Sequence, residues 1–456
     1  MSDQGLLKEL RAFLEQHPDT RFMDVFAPDI NGIPRGKRIQ SDEFEKVFSG
    51  GSNYCAASTL MNMRGEAPEN VKYGAHDGDP DIRSSAVPGS LAPVPWASLP
   101  TAQCLLELCE FDGSPYFLDP RNVLKKSLAA LQELGLHPMM ATELEFYLVG
   151  YDGDTFIPRM PKIAGSDWEQ VGIQFASFDD LDDVEPFLVD LDRFCNIQKI
   201  PAGAALAEYS PGQFEVNLNH IDDPVLACDH ALLLKRAVKA AAKKNGLSAT
   251  FMAKPFAEHA GSGLHLHISL LNDDGNNVFS GTGQDDFSDT LRHAIGGMQA
   301  AMPESMAVFA PNANSYRRYA PGWYVPASPN WGPNHRDLAL RIPVSSQENR
   351  RVEHRVSGAD ANPYLVAAAI LAGMHHGIKE QFDPGPMTEE KANVEYQVTL
   401  PVRWSKALDA FEAGAILPRY FGEEYHRVYG VVKREESELF HSEITDRDYE
   451  WYLRAV

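Results

Sequence analysis

Three short segments place charged or ligating side chains two residues apart: Glu143-Leu-Glu145, His265-Leu-His267 and Glu353-His-Arg355. Each lies in an apolar, strand-like run: ATELEFYLV, GLHLHISLL and RRVEHRVS. Side chains on a β-strand alternate between faces, so both members of each pair point the same way. A buried face with two carboxylates or two imidazoles is costly without compensating charge. A shared cavity holding metal cations, walled by these strands, is the simplest compensation. AEYSPGQFEVNL adds Glu208 and Glu215 around a Ser-Pro-Gly turn. With His265 and Glu353 the set becomes five carboxylates and one imidazole. Oxygen-rich ligation favours Mg²⁺ or Mn²⁺ over zinc. Six protein ligands exceed what one Mg²⁺ usually takes, which suits two or more ions. Taken singly, ExE on a strand is usually a solvated face and HxH usually packs; their joint appearance in apolar contexts points to a site.

Guanidinium groups concentrate between residues 317 and 355: Arg317, Arg318, Arg336, Arg341, Arg350, Arg351 and Arg355. Beside metal-ligating acids, such a cluster suits phosphoryl oxygens and a substrate carboxylate, which Arg grips bidentately. Several cations, several arginines and no nucleophilic Ser or Cys motif point to ATP-dependent phosphoryl transfer. There is no GxxxxGK[ST], no Asp-Phe-Gly kinase set and no HExxH. Asp77-Gly-Asp79-Pro-Asp81 fails as a calcium loop, because Ile82 and Pro88 take the required Gly and Glu positions.

The elements that must hold these residues follow from periodicity. A helix is expected over residues 1 to about 20, with Leu6, Leu7, Leu10, Phe13 and Leu14 on one stripe. Two strand-like runs flank Asn31-Gly32, a hairpin dipeptide. Residues 74–96 read as loop with short strands, and QCLLELCEF as a strand. After Asp112-Gly113-Ser114-Pro115 come a helix ending near Gly135, the strand MMATELEFYLV, and long loops over 150–185. A helix closed by Gly246, strands SATFMAKPF and GLHLHISLL, and an Ala-rich helix after Asn362-Pro363 complete the pattern; the last 60 residues read as helical and polar. At 456 residues, two domains are expected, 1–114 and 115–456. The formal charge of −23 argues against nucleic acid. No apolar run reaches membrane-spanning length and the N-terminus lacks a signal-peptide core, so a cytoplasmic protein is expected. Five scattered cysteines without CxxC spacing fit reduced thiols.

Seven ordered segments, ATELEFYL, AEYSPGQFEVNL, FMAKPFAEHAGSGLHLHIS, PNANSYRRYAPG, ALRIP, RRVEHRV and GADANPYL, resemble the signature segments of glutamine synthetases. The resemblance implies an α+β fold: an N-terminal β-grasp domain and a catalytic domain with an antiparallel sheet surrounded by helices. It implies that Glu145, Glu208 and Glu215 hold one metal and Glu143, His265 and Glu353 another. His267, Ser269, Arg341 and Arg351 would serve the nucleotide. Arg336 would face the transferred phosphoryl group, and Gly261, Arg318 and Arg355 would hold glutamate; Arg336 and Arg355 are the catalytic candidates. It further implies a homo-oligomer, a dodecamer of two stacked rings.

Departures from the ammonia-using members point to the nucleophile. Where those enzymes carry an acidic residue two positions after the flap Pro-Gly, Pro321-Gly322-Trp323-Tyr324 supplies Tyr324. No Asp occurs between Gly51 and Ala75, although Glu66 and Glu69 do, and both are candidates for the amine's proton acceptor. Aromatic rings there suit a larger amine. Together with AEYSPGQFEVNL and KPFAEHAGSG, the flap looks most like that of γ-glutamylpolyamine synthetases of the γ-glutamylputrescine type. Glutamate, ATP and a primary amine are the expected substrates. The alternatives are a γ-glutamyl-monoamide synthetase, an ammonia-using glutamine synthetase and a non-catalytic relative. Glu348 and Ala260 stand where many relatives have Lys and Asn.

Overall fold

The Asn31-Gly32 dipeptide does mark a hairpin, but the loop it sits in is longer than the dipeptide. In the computed structural model, which describes residues 3–456 except 164, 167, 170, 171, 173 and 282–286, Asp29–Ile33 form the connection. The buried Asp29 carboxylate accepts hydrogen bonds from the N–H groups of Asn31 and Ile33, both at 2.8 Å. Gly32 has φ +73°, the left-handed region where a Cβ is disfavoured. Helix α1 (Asp3–Gln16) precedes strands β1 (Phe22–Pro28) and β2 (Pro34–Gln40), followed by a short helix α2 (Phe44–Phe48). Strands β3 (Ser52–Cys55), β4 (Asp81–Ala86), β5 (Ala92–Pro93) and β6 (Thr101–Cys109) complete a first sheet in the order β2-β1-β6-β4-β3, with β5 beside β6. Only its central β1–β6 pair is parallel. Leu6, Leu10, Phe44, Val47 and Phe48 bury the helices against it.

After helix α3 (Pro120–Gln132), capped by the Asp119 carboxylate accepting from Arg121 N–H, comes the long strand β7 (His137–Asp152). Then follow β8 (Thr155–Pro158), α4 (Phe178–Asp182), α5 (Glu185–Gln198), β9 (Ala202–Ala207), β10 (Gln213–Leu218) and α6 (Pro224–Lys244). The chain continues with β11 (Ser248–Thr250), β12 (Leu264–Leu271), α7 (Asp289–Phe309), β13 (Trp331–Pro333), β14 (Leu340–Ile342), β15 (Val352–His354) and α8 (Pro363–Glu380). It closes with α9 (Trp404–Glu412), α10 (Leu417–Phe421), α11 (Glu423–Ser442) and α12 (Asp446–Tyr452). The second sheet runs β13-β14-β15-β12-β7-β10-β9, with β8 and β11 also on β7. Its pairs are antiparallel apart from β13–β14.

This sheet has one apolar face. Leu144, Phe146, Val216, Leu264, Leu266 and Ile268 are each at most 3% exposed, and α6 packs against β7. Burying each such side chain stabilises by roughly 1.5–3 kcal/mol. Their strand neighbours on the other face are the charged pairs, so the apolar alternation itself fixes where the chemistry points. The hairpin meets helix α8 at its N-cap, Asn362. Its Nδ2 donates to the carbonyls of Asp29 (3.2 Å) and Ile30 (3.3 Å) while Oδ1 accepts from Tyr364 N–H.

Several element expectations need correction. SATFMAKPF forms only the three-residue β11, because Lys254 onward turns into a loop held by Asn314. The 150–185 stretch is not all loop: β7 runs on to Asp152, and β8 and α4 lie within it. Residues 164, 167, 170, 171 and 173 of this stretch lie outside the described residues. Helices α5 and α7 have no counterpart among the expected elements; α7 is buried on most of its surface and lacks a clean polar stripe. The C-terminal helices are not polar throughout, since Tyr425, Val428, Tyr429 and Val432 of α11 enter the core. All five cysteines are free thiols. Among the described residues no helix is long and apolar enough to cross a membrane.

Candidate active site

Register assembles the polar face. Glu145 of β7 lies directly across from Glu215 of β10, and Glu143 from Asn217. On its other side Glu143 faces His265 of β12. His267 faces Glu353 of β15, which in turn faces Arg341 of β14. Residues directly opposite share a face, so five adjacent strands present one continuous row of ligating and cationic groups. Glu145, Glu215, His265 and Glu353 are all buried.

One ligand atom each from Glu143, His265 and Glu353 lie within 4.8 Å of one another, and so do atoms from Glu145, Glu215 and His265. His265 therefore stands between two trios, with Nδ1 at 3.4 Å from Glu143 and Nε2 at 3.7 Å from Glu145. Glu208 belongs to neither trio; its Oε2 accepts from the Tyr209 N–H at 3.0 Å. Burial, then the Glu145 charge, push the Glu208 carboxyl up to about 7, against Arg336 and Arg355. Burial and repulsion from Glu143, Glu145 and Glu208 push Glu215 up to about 10. Glu143 behaves oppositely: burial would raise it, but His265 and His267 hold it well below the usual carboxylate range. Burial likewise opposes Glu353, yet Arg355 and the two imidazoles hold it at about 2. Repulsion among buried carboxylates is what divalent cations relieve, and this oxygen-rich donor set with one imidazole fits hard divalent ions.

The arginines frame this cluster. Arg341 NH1 donates to Glu353 Oε2 at 2.6 Å, Arg355 NH1 grips Glu353 Oε1, and Arg355 Nε donates to the Arg336 carbonyl at 3.1 Å. The Arg336 side chain is exposed. Arg351 Nε donates to His267 Nδ1 at 3.2 Å; His267 Nε2 lies 2.8 Å from Glu143 Oε1 without hydrogen-bond alignment. Ser269 is buried two residues further along the same face of β12. Arg318, 3% exposed, donates NH1 to the Val356 carbonyl and leaves Nε without a partner among the described residues. A Cβ at Gly263 would lie 2.6 Å from His265 Nε2 and 2.7 Å from Arg318 NH2, so any side chain there would displace one or both of these groups. At Gly261 a Cβ would meet Arg318 Cγ at 2.6 Å.

Tyr324, half exposed and at φ +54°, is T-stacked on Tyr209 with centroids 5.9 Å apart. Trp323 is already covered by Lys254, whose Nζ is 4.4 Å from its ring centroid. Trp323 also meets Tyr209 edge-on, with centroids 6.3 Å apart, so both flap rings pack on the residue after Glu208. Glu66 and Glu69 do not join the cluster within the chain: Glu66 pairs with Arg64 at 3.3 Å, and the Glu69 N–H donates to Glu435.

Three neighbours escaped the sequence reading. Gln213 Nε2 donates to Glu145 Oε2 (3.3 Å) and to the Gly261 carbonyl (3.1 Å). The Asn217 Oδ1 beside Glu143 is buried without a partner among the described residues. Both flank Glu215 at two-residue spacing in QFEVN, so reading that segment as a strand would have placed them on the same face. His220, 6.3 Å from His267 between ring centroids, is pushed down to about 4 by burial and then by His267 and Arg351. Nothing local distinguishes it.

Comparison with known proteins agrees with this geometry. A family model described as "Glutamine synthetase, catalytic domain" matches residues 117–452. The chain is 42% identical over 448 residues to "Gamma-glutamylputrescine synthetase PuuA" of Escherichia coli (strain K12), covering 98% of this chain and 94% of that protein. It is 29% identical to "Glutamate--isopropylamine ligase" of Pseudomonas sp, covering 98% of each. A solved structure titled "Apo GmaS without ligand" superposes with a TM-score of 0.82 at 26% identity, covering 97% of this chain and 99% of that one. The chain, with its paired carboxylates ranged across an antiparallel sheet, belongs to the glutamine synthetase family.

Proposed function

We propose that this protein is an ATP-dependent ligase joining the γ-carboxylate of glutamate to a primary amine, a diamine of the putrescine type. The observation that carries the reading is the row Glu215–Glu145–His265–Glu353, bounded by Arg318, Arg341 and Arg355, under a flap whose tip is Tyr324 rather than a carboxylate. The relatives named for putrescine and isopropylamine ligation support an amine acceptor.

Glu143, His265 and Glu353, and Glu145 and Glu215 with Glu208 alongside, would hold two divalent ions, Mg²⁺ or Mn²⁺. When bound, such ions neutralise phosphoryl charge. Arg318, Arg355 and the space kept open at Gly261 orient glutamate, while His267, Ser269, Arg341 and Arg351 line the nucleotide side. A glutamate side-chain oxygen attacks the γ-phosphorus of ATP, ADP leaves, and Arg336 stabilises the transferring group. The neutral amine nitrogen then attacks the acyl carbon, inorganic phosphate leaves, and the nitrogen loses its proton. An amine panel with phosphate release as readout tests this. Turnover with putrescine well above turnover with ammonia is expected, whereas equal or better turnover with ammonia would overturn the amine assignment.

The family resemblance supports a dodecameric assembly and a division of the chain at 114/115. Sedimentation is expected to give a species many times the 50.5 kDa chain; a monomer would contradict it.

A further inference from the structure

A diamine poses a problem that an alkylamine does not. Its reacting nitrogen must be neutral to attack, while the far nitrogen remains an ammonium near neutral pH. Bringing that charge under the flap costs free energy unless carboxylates or aromatic faces meet it. The carboxylates of the main cluster already face cationic partners or one another, so the second charge needs a separate place.

The structure has one in position. A cavity of about 290 Å³ lies against the flap, lined by Tyr324 and Val325 on one side, by Asp337, and by Glu395 and Tyr396 from the segment joining α8 to α9. No Lys, Arg or His is among its lining residues. Asp337 has only His335 near it, 3.9 Å away, and Glu395 has no hydrogen bond or ion pair among the described residues. The Tyr396 hydroxyl is buried and has no hydrogen-bond partner there either. The cavity is continuous in sequence with the cluster: Asp337 follows Arg336, whose carbonyl is held by Arg355, which grips Glu353. On the opposite wall, Tyr324 stacks on Tyr209, the residue after Glu208. Its volume holds several waters or a short aliphatic chain.

We propose that this cavity receives the far ammonium of an α,ω-diamine, with Glu395 and Asp337 supplying the counter-charge and Tyr396 a hydrogen-bond acceptor. Tyr324 then acts as the wall along which the aliphatic chain lies. The inference rests on the amine-ligase reading above. It makes selection of diamines over monoamines a property of the flap cavity and not of the carboxylate cluster.

The test uses the full-length protein with ATP, glutamate and Mg²⁺, and compares putrescine with n-butylamine, which has the same carbon chain and no second nitrogen. Glu395→Gln is expected to lower kcat/KM for putrescine by about tenfold or more, mainly through KM, and to shrink the putrescine-to-butylamine ratio with it. Tyr396→Phe, which leaves every charge in place, is expected to move the same ratio by less. A parallel loss for both amines, or a ratio unmoved in both variants, would overturn the cavity assignment. Wild-type protein that used ammonia but neither amine would instead overturn the ligase reading on which it rests.

Discussion

At the scale of single residues, the site is governed by what five strands do to carboxylates held within a few ångströms. Two of them, Glu143 and Glu353, are held low by imidazoles and guanidinium groups, while Glu208 and Glu215 are pushed up to about 7 and about 10. The sign of the consequence is fixed. A carboxyl raised in the folded state favours the fold while protonated, and that contribution is lost as pH rises through the folded value. Protein stripped of divalent ions with a chelator should therefore lose stability from about pH 5 upward, through the range set by Glu208 and Glu215. Mg²⁺ binds the ionised forms, so its stabilisation should grow over the same range. Thermal melts with chelator and with Mg²⁺, at pH 6 and pH 9, read this directly. The gap between the two melting temperatures is expected to be wider at pH 9; an equal or narrower gap would remove Glu208 and Glu215 from the metal site.

At the scale of elements, the strands and their neighbours were unequally legible in sequence. Period-two alternation identified β7, β12 and β15 because each sets apolar residues on one face and a charged or ligating pair on the other, a signal contained within a few residues; β10, read only as two glutamates around a Ser-Pro-Gly turn, emerges with the structure. Helix α7 was missed because burial on most sides erases the amphipathic stripe. The hairpin illustrates a mixed outcome: Asn31-Gly32 marks its position, but Asp29 closes it and Asn362 anchors it. Asn362→Ala would remove the α8 cap and leave the Asp29 and Ile30 carbonyls without that donor. A loss of roughly 1–2 kcal/mol is expected in denaturant unfolding. A change within error would show that water replaces the side chain at both ends.

At the scale of the whole molecule, buried charge ties the helical layer together. Arg121 of α3 donates to both carboxylate oxygens of Asp229 of α6 at 2.8 and 2.9 Å, and the Tyr364 hydroxyl of α8 donates to the same carboxylate at 2.6 Å. The Arg121 and Asp229 side chains are only 4% and 3% exposed. Asp229→Asn keeps the shape but leaves Arg121 with only the more distant Glu107 carboxylate, 3.8 Å away, as counter-charge, and breaking such a pair costs roughly 3–5 kcal/mol. Replacing Arg121 and Asp229 together by apolar residues is expected to cost less than the single change, because no charge is stranded. Equal losses for the single and double variants, measured by chemical unfolding, would show that the pair contributes through packing alone.

The sequence by itself singled out the candidate residues and the class of chemistry they suit. Pairs at two-residue spacing in apolar runs already require a polar face on a buried strand, and clustered arginines already suit phosphoryl transfer. Tertiary structure alone decided how the ligands are shared. Strand order and register, which depend on contacts far apart in the chain, put His265 between two trios and left Glu208 outside both. The same long-range packing threads Gly263 between His265 and Arg318, and brings Glu395 to the cavity beside Tyr324. Alternation along a strand is a local property and survives in sequence; which strands become neighbours is set by closing the core.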